Sequence, residues 1–137
     1  MTVLARTARG AASLPAMDPV TGLSLGRIGL GIASLVAPSA SARLFGIDAA
    51  ANPQLGAINR MFGAREIALG AVTLASRGTL RRNMVLVGMA VDAADAASAG
   101  VEVAGGGLPK LQGSGLAAVA ASAVATGVAA LALSRGK

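Results

Sequence analysis

The order of apolar and polar positions divides the chain into four long apolar runs separated by polar breaks. Each run holds about 17 to 23 residues, and a helix needs about 20 to cross a hydrocarbon core about 30 Å thick. The runs are too long, and too rich in alanine and leucine, to be strands. The sequence therefore predicts an all-α fold, a four-helix transmembrane bundle. Its predicted spans are residues 21–37, 54–76, 83–100 and 115–133.

The flanking segments set the predicted domain limits. Residues 1–20 form a predicted cytoplasmic tail that Pro15 and Pro19 keep from being one helix. The transmembrane domain then covers residues 21–134, and residues 135–137 form a second cytoplasmic tail.

Two connectors between the runs carry local signals. Pro38 ends the first run, and the stretch 41–47 predicts a short interfacial helix that Gly46 closes. A basic turn at residues 77–82 joins the second and third runs, which we expect to form a helical hairpin.

Composition agrees with a membrane protein and excludes several kinds of chemistry. Hydrophobic residues make up 54% and charged residues 13%, whereas a soluble domain carries about 25% charged residues. The chain has no Cys and no His, which removes thiolate chemistry and imidazole metal ligands. It has no Trp or Tyr, which disfavours stacking on nucleic-acid bases. We predict no catalytic, metal or cofactor site, no nucleic-acid partner, and contact with the lipid bilayer.

Charge in the loops predicts orientation. The net charge is +6, and four spans place both termini and the central turn on one side. Positive residues favour the cytoplasmic side. We therefore predict a multi-pass protein of the bacterial cytoplasmic membrane with both termini in the cytoplasm. The cytoplasmic side would carry Arg6, Arg9, Arg77, Arg81, Arg82, Arg135 and Lys137, and the other side only Arg43 and Lys110.

An alternative for the first run is a cleaved secretory signal. Arg27 would end its charged region, residues 28–37 would be its apolar region, and Ala40-Ser41-Ala42 fits a small-residue cleavage site. The charged region would then be unusually long and would contain Asp18, and cleavage would break the charge pattern of the loops.

Polar residues inside the predicted spans form the candidate site. Charges at mid-membrane are costly and normally face the bundle and pair. From the helical rise we predict that Arg60 pairs with Asp95 and Arg65 with Asp92, while Arg27 reaches toward Glu66. The network either fixes helix register or forms a polar pocket or proton path. Its predicted members are Arg27, Asn59, Arg60, Arg65, Glu66, Asp92 and Asp95.

Small residues at helical spacing predict the packing faces. In lipid, small residues four apart let two helix backbones approach closely. Gly63 and Gly70 share a stripe with Asn59 and Glu66. The predicted packing residues are Gly22, Gly26, Gly63, Gly70, Ala117, Ala121 and Ala125. The last three lie on an uncharged run suited to lipid or to a partner helix.

The segment from Asn59 to Gly70, NRMFGAREIALG, resembles a motif of small four-span membrane proteins, many of them actinobacterial, that are distantly DoxX-like. The later Asp92-Ala-Ala-Asp95 fits this resemblance, which covers about residues 22–133. It implies a helical membrane bundle with a polar core and no established reaction. DoxX proteins are linked with membrane redox partners, a role that a chain without Cys or His does not directly support. The implied core residues are Arg60, Arg65, Glu66, Asp92 and Asp95.

Three functions follow from these patterns. The first is an accessory or interaction subunit of a membrane complex, with a membrane protein partner or a homo-oligomer. The second is a carrier or binder of a small or lipophilic molecule that uses the charged pocket. The third is a membrane enzyme in which Glu66, Asp92 or Asp95 acts as acid or base, which requires raised carboxylate pKa values.

Overall fold

The computed structural model describes residues 17–134, so most of the predicted N-terminal tail and the C-terminal tail lie outside the described residues. The described part is all-helical. Its five helices are α1 (Pro19–Val36), α2 (Pro38–Leu44), α3 (Leu55–Ala75), α4 (Gly78–Gly105) and α5 (Lys110–Ser134).

Local signals in the sequence set the helix ends. Asp18 is the N-cap of α1, where its carboxylate accepts a hydrogen bond from the Thr21 backbone amide, and Pro19 follows at the first helical position. The short helix predicted at residues 41–47 begins earlier, at Pro38, because proline also favours a first helical position. Gly46 follows it with a φ of 71°. Gly106 ends α4 in the left-handed region, with a φ of 78°.

The helices pack as two antiparallel pairs. α1 makes its most extensive contacts with α3, and α4 with α5, while α3 contacts α4 much less. The expected hairpin of the second and third runs therefore exists as a tight connection, but the main partner of α3 is α1. The pairing of α3 with α1 follows from small residues that let the two backbones approach closely.

Many polar side chains lie inside the bundle and many large apolar side chains lie outside, the opposite of a soluble helical bundle. Charged and hydroxyl side chains such as Arg27, Glu66, Asp92 and Ser34 are buried. Large apolar side chains, including Ile32, Met61, Leu86 and Val128, are exposed on the outer faces. An apolar exterior around a polar interior is the arrangement expected in lipid.

Within the described part of the chain, three helices are long and apolar enough to cross a membrane: α1, α4 and α5. α3 has 21 residues, but it carries Arg60, Arg65 and Glu66, so length and composition alone do not mark it as a fourth span. α4 and α5 extend beyond the predicted runs 83–100 and 115–133, because polar residues that flank an apolar run can continue its helix.

Candidate functional site

Small residues bring α1 and α3 together at two levels. A Cβ built on Gly63 meets the Gly31 carbonyl oxygen at 2.6 Å, and one built on Gly70 meets the Ser24 carbonyl oxygen at 2.6 Å. Gly63 and Gly70 thus lie at a close helix contact. On α1 the residues in contact are Ser24 and Gly31, one turn to either side of Arg27.

The glycines singled out on α1 lie elsewhere. A Cβ on Gly26 meets nothing within 4 Å, and one on Gly22 meets only the Met17 side chain, at 3.7 Å. Both glycines line the cavity described below.

Arg27 joins three helices at the centre of the bundle. Its Nη1 donates to Glu66 Oε2 of α3 at 2.5 Å, and its Nη2 donates to Asp92 Oδ2 of α4. All three side chains are more than nine-tenths buried. Gly88 makes room for the guanidinium, since a Cβ there would meet Arg27 Nη2 at 3.1 Å. Both terminal nitrogens of Arg27 are therefore held by carboxylates on different helices.

Arg65 extends this network to a second acidic residue of α4. Its Nη1 and Nη2 donate to the two carboxylate oxygens of Asp95, at 3.0 and 2.5 Å. Its Nε and Nη2 donate to Glu66 Oε1, at 3.3 and 3.2 Å. The guanidinium also lies 5.0 Å from the Phe62 ring centroid, within the range of a cation–π contact.

The pairing differs from the sequence prediction. Arg65 binds Asp95 instead of Asp92, because Arg27 of α1 takes Asp92. Arg60 lies on an exposed face of α3 and forms no ion pair with any described residue. The expected reach of Arg27 toward Glu66 is present.

Asn59 belongs to a separate polar group at the other end of the α1–α3 contact. Its side-chain amide donates to the Pro38 carbonyl oxygen at 2.6 Å and to Ser41 Oγ at 2.5 Å. Ser41 Oγ in turn donates to the fully buried Ser34 hydroxyl at 3.4 Å. These bonds fix α2 against α1 and α3.

A cavity of about 670 Å³ lies between the two helix pairs. Much of its wall is apolar, with Leu23, Leu30 and Phe62 on one side and Val119 on the other. The charged side chains on its wall are Arg27, Glu66, Asp92, Asp95 and Glu102. Its size falls within the range of about 300–1,000 Å³ found for small-molecule sites. The ion network is thus part of a cavity wall.

The face of α5 that packs on α4 differs from the predicted alanine stripe. Ala117 is half-buried, whereas Ala121 and Ala125 are exposed. A Cβ on Gly127 would meet Met89 Cγ at 2.6 Å, so this glycine marks a close contact with α4. The buried small residues of α5 are Gly113, Ala120, Gly127 and Ala130.

A second charged contact ties α1 to α4 near the helix ends. Arg81 Nη2 donates to Asp18 Oδ2 and, at 3.0 Å, to the Thr21 hydroxyl. Burial raises the pKa of Asp18, but the hydrogen bonds from Arg81 and Thr21 outweigh it and hold the pKa below its usual value of 3.8.

Within residues 17–134 no group of three or more His, Cys, Asp or Glu side chains is arranged to hold a metal ion. Comparisons with known proteins give no match to a family model, a curated protein or a solved structure. The resemblance of the Asn59–Gly70 segment to four-span membrane proteins therefore stays an expectation.

Proposed function

We propose that the chain is a membrane protein whose four long helices all cross the bilayer and whose cavity binds a small lipophilic molecule. The observation that carries this proposal is the largely apolar cavity of about 670 Å³ with buried ion pairs on its wall. A subunit whose ion pairs only fix the helix register would not require a cavity of this size.

The proposal of four spans, instead of three, rests on the ion pairs that the charged residues of α3 form with neighbouring helices. Glu66 and Arg65 face partners on α1 and α4, so they need not meet lipid. Arg60 lies near the start of α3, from which its long side chain can extend toward the interface. The antiparallel contact of α3 with α1, an apolar helix, supports placing both in the same layer.

The orientation of the protein in the membrane, and the retention of α1 in the mature protein, are inferred from the basic turn and from Arg27. The basic turn between α3 and α4 favours a cytoplasmic location, which places both termini in the cytoplasm of a bacterial membrane. α1 supplies Arg27, the only cation that residues 17–134 place on the cavity wall. That role supports a mature protein that keeps its first helix and does not lose it as a signal.

The test is native mass spectrometry of the protein released from its own membrane in a mild detergent. We expect a protein ion that retains a small molecule. Ala123→Leu, on the cavity wall, should lose that molecule, whereas Ala121→Leu, which lies on α5 outside the wall, should keep it. Absence of any retained molecule, or equal retention by both variants, would overturn the binding function.

A second candidate is an accessory subunit, favoured by the exposed small-residue face of α5. Ala118, Ala121, Ala125 and Ala129 are all exposed and lie on neighbouring turns. In this case the same measurement gives the opposite pattern. A partner protein or a second copy co-purifies, Ala121→Leu disrupts the complex, and Ala123→Leu leaves it intact.

A further inference from the structure

The cavity wall carries more negative than positive charge. Its carboxylates come from Glu66, Asp92, Asp95 and Glu102, and Arg27 is its one cation among the residues that the structure describes. Arg65 supplies a second positive charge to the network by binding Asp95 and Glu66. Two guanidinium groups therefore face three carboxylates in the network, and Glu102, which pairs with no described residue, adds a fourth.

The positive charge of Arg27 is not available to a ligand. Its two terminal nitrogens are both engaged by carboxylates, and its side chain is only 8% exposed. Asp92 is different. Its Oδ2 accepts from Arg27, but its Oδ1 accepts no hydrogen bond from any described residue, although the side chain is more than nine-tenths buried and lies on the cavity wall. Oδ1 is not among the buried side-chain atoms that lack a hydrogen-bond partner, so it is accessible to a donor placed in the cavity.

No cation from α5 compensates this charge. The α5 residues on the wall are uncharged, among them Leu116, Ala123 and Thr126. The charged groups around Asp92 are therefore Arg27 from α1, Glu66 and Arg65 from α3, and Asp95 and Glu102 from α4 itself. The cavity combines an apolar space with an unmatched negative charge on one wall.

We propose that the ligand of this cavity is a lipophilic cation, an amine with an apolar body, whose ammonium group donates to Asp92 Oδ1. This inference rests on the proposed binding function. The ammonium group would offset the excess negative charge and donate to the accessible Oδ1, and the apolar body would occupy the space between the leucine and valine side chains. A hydrogen bond between an ammonium and a carboxylate is about twice as strong as one between neutral groups, so it favours an ammonium over a neutral head group.

The test compares decylamine, decanol and decanoate, which share a chain and differ in head group. Binding of each labelled probe to the full chain in lipid nanodiscs is measured near pH 7 and corrected with empty nanodiscs. We expect decylamine to bind at least about tenfold more tightly than decanol, and decanoate to bind weakest. Equal binding of decylamine and decanol, or tighter binding of decanoate, would overturn the inference.

Variants separate charge recognition from the existence of the site. Asp92→Asn should reduce the preference for decylamine to about twofold or less, while Asp48→Asn, in the exposed connector, should leave it unchanged. If Asp92→Asn fails to fold because Arg27 loses a partner, Ser98→Lys serves instead. Ser98 lies on the cavity wall, is exposed and joins no ion pair, so its replacement adds a cation without removing one of the network's partners. We expect it to abolish decylamine binding, and retained binding would contradict the inference.

Failure of this inference is distinguishable from failure of the proposed function. If decylamine and decanol bind equally and Ala123→Leu abolishes both, the cavity binds lipophilic molecules without charge selection. If no probe binds above the empty nanodiscs, this inference is wrong, and the native mass spectrometry of Ala123→Leu and Ala121→Leu decides the proposed function separately.

Discussion

Gly31 of α1 and Gly63 of α3 lie so close that a Cβ built on either one meets the carbonyl oxygen of the other at 2.6 Å. Backbone atoms cannot move aside as the end of a flexible side chain can. The contact sets the distance between the helices, and that distance places Arg27 within reach of Glu66 one turn away. Packing and ion pairing in this bundle are therefore coupled.

We expect Gly63→Ala to destabilise the protein by about 1–3 kcal/mol, the usual cost of forcing extra atoms into a packed contact. Gly31→Ala should act similarly. The matched controls are Gly56→Ala on α3 and Gly26→Ala on α1, where a Cβ meets nothing within 4 Å. Because alanine favours helix more than glycine does, the controls should be neutral or slightly stabilised. Denaturation in mixed micelles, followed by circular dichroism, measures the difference, and equal effects at all four sites would contradict the contact.

Removing Arg27 should be far more damaging than removing Arg60. Arg27→Gln leaves Glu66 and Asp92 buried without their shared cation, and such a loss costs about 3–5 kcal/mol in buried pairs. Arg60→Gln removes an equal charge from an exposed face and should change stability by less than about 0.5 kcal/mol. Folded yield and the midpoint of unfolding report both changes. Similar losses for the two variants would mean that Arg27 does not hold the network together.

The sequence predicts which polar residues are buried better than it predicts their partners. The reach of Arg27 toward Glu66 follows from helical rise alone. Depth along the second and third runs pairs Arg65 with Asp92, but Arg27 of α1 binds Asp92 and leaves Asp95 to Arg65. Pairing depends on which helices are neighbours, and a charge pattern does not contain that information.

Rotation of a helix about its own axis is the other quantity that the sequence leaves undetermined. On α1, Gly22 and Gly26 form one small-residue stripe, and Ser24 and Gly31 belong to another at equally regular spacing. Only the second faces α3. On α5 nearly every turn offers small residues, so periodicity does not distinguish the exposed Ala121 from the buried Ala120.

The contact between Asp18 and Arg81 should contribute a pH-dependent part of stability. The folded-state pKa of Asp18 lies below its usual value of 3.8, so the contribution is fully present above that value and is lost as the pH falls through the lower, folded pKa. Asp18 is half-exposed, and solvent screening limits the effect to about 0.5 kcal/mol or less. Asp18→Asn keeps an N-cap side chain and removes only the charge.

We therefore expect Asp18→Asn to lower the unfolding midpoint slightly near pH 7 and to converge with the unmodified protein as the pH falls through the lowered pKa of Asp18. Asp48→Asn, which removes an exposed charge that forms no ion pair with a described residue, is the control. Thermal unfolding at a series of pH values measures both. A difference between Asp18→Asn and the unmodified protein that stays constant across the series would show that the charge of Asp18 is not the cause.

The side of the membrane on which each connector lies decides between three and four spans. The chain has no Cys, so single cysteines report without background. Ser39 lies in α2 and Thr79 at the start of α4, and both are exposed. If α3 crosses the bilayer, Ser39→Cys and Thr79→Cys react from opposite sides. If α3 stays on one surface, both react from the same side.

We expect an impermeant maleimide added to intact cells to label Ser39→Cys and to leave Thr79→Cys unlabelled until the membrane is opened. A third single cysteine reports on the loop between α4 and α5. Pro109→Cys is chosen there because Pro109 is exposed, whereas Gly106 has a φ of 78° that a cysteine rarely adopts. It should react as Ser39→Cys does, because α4 returns the chain to the outer side. Labelling of Thr79→Cys in intact cells together with Ser39→Cys would place α3 at the surface, where Arg65 and Glu66 would need no ion network to be tolerated.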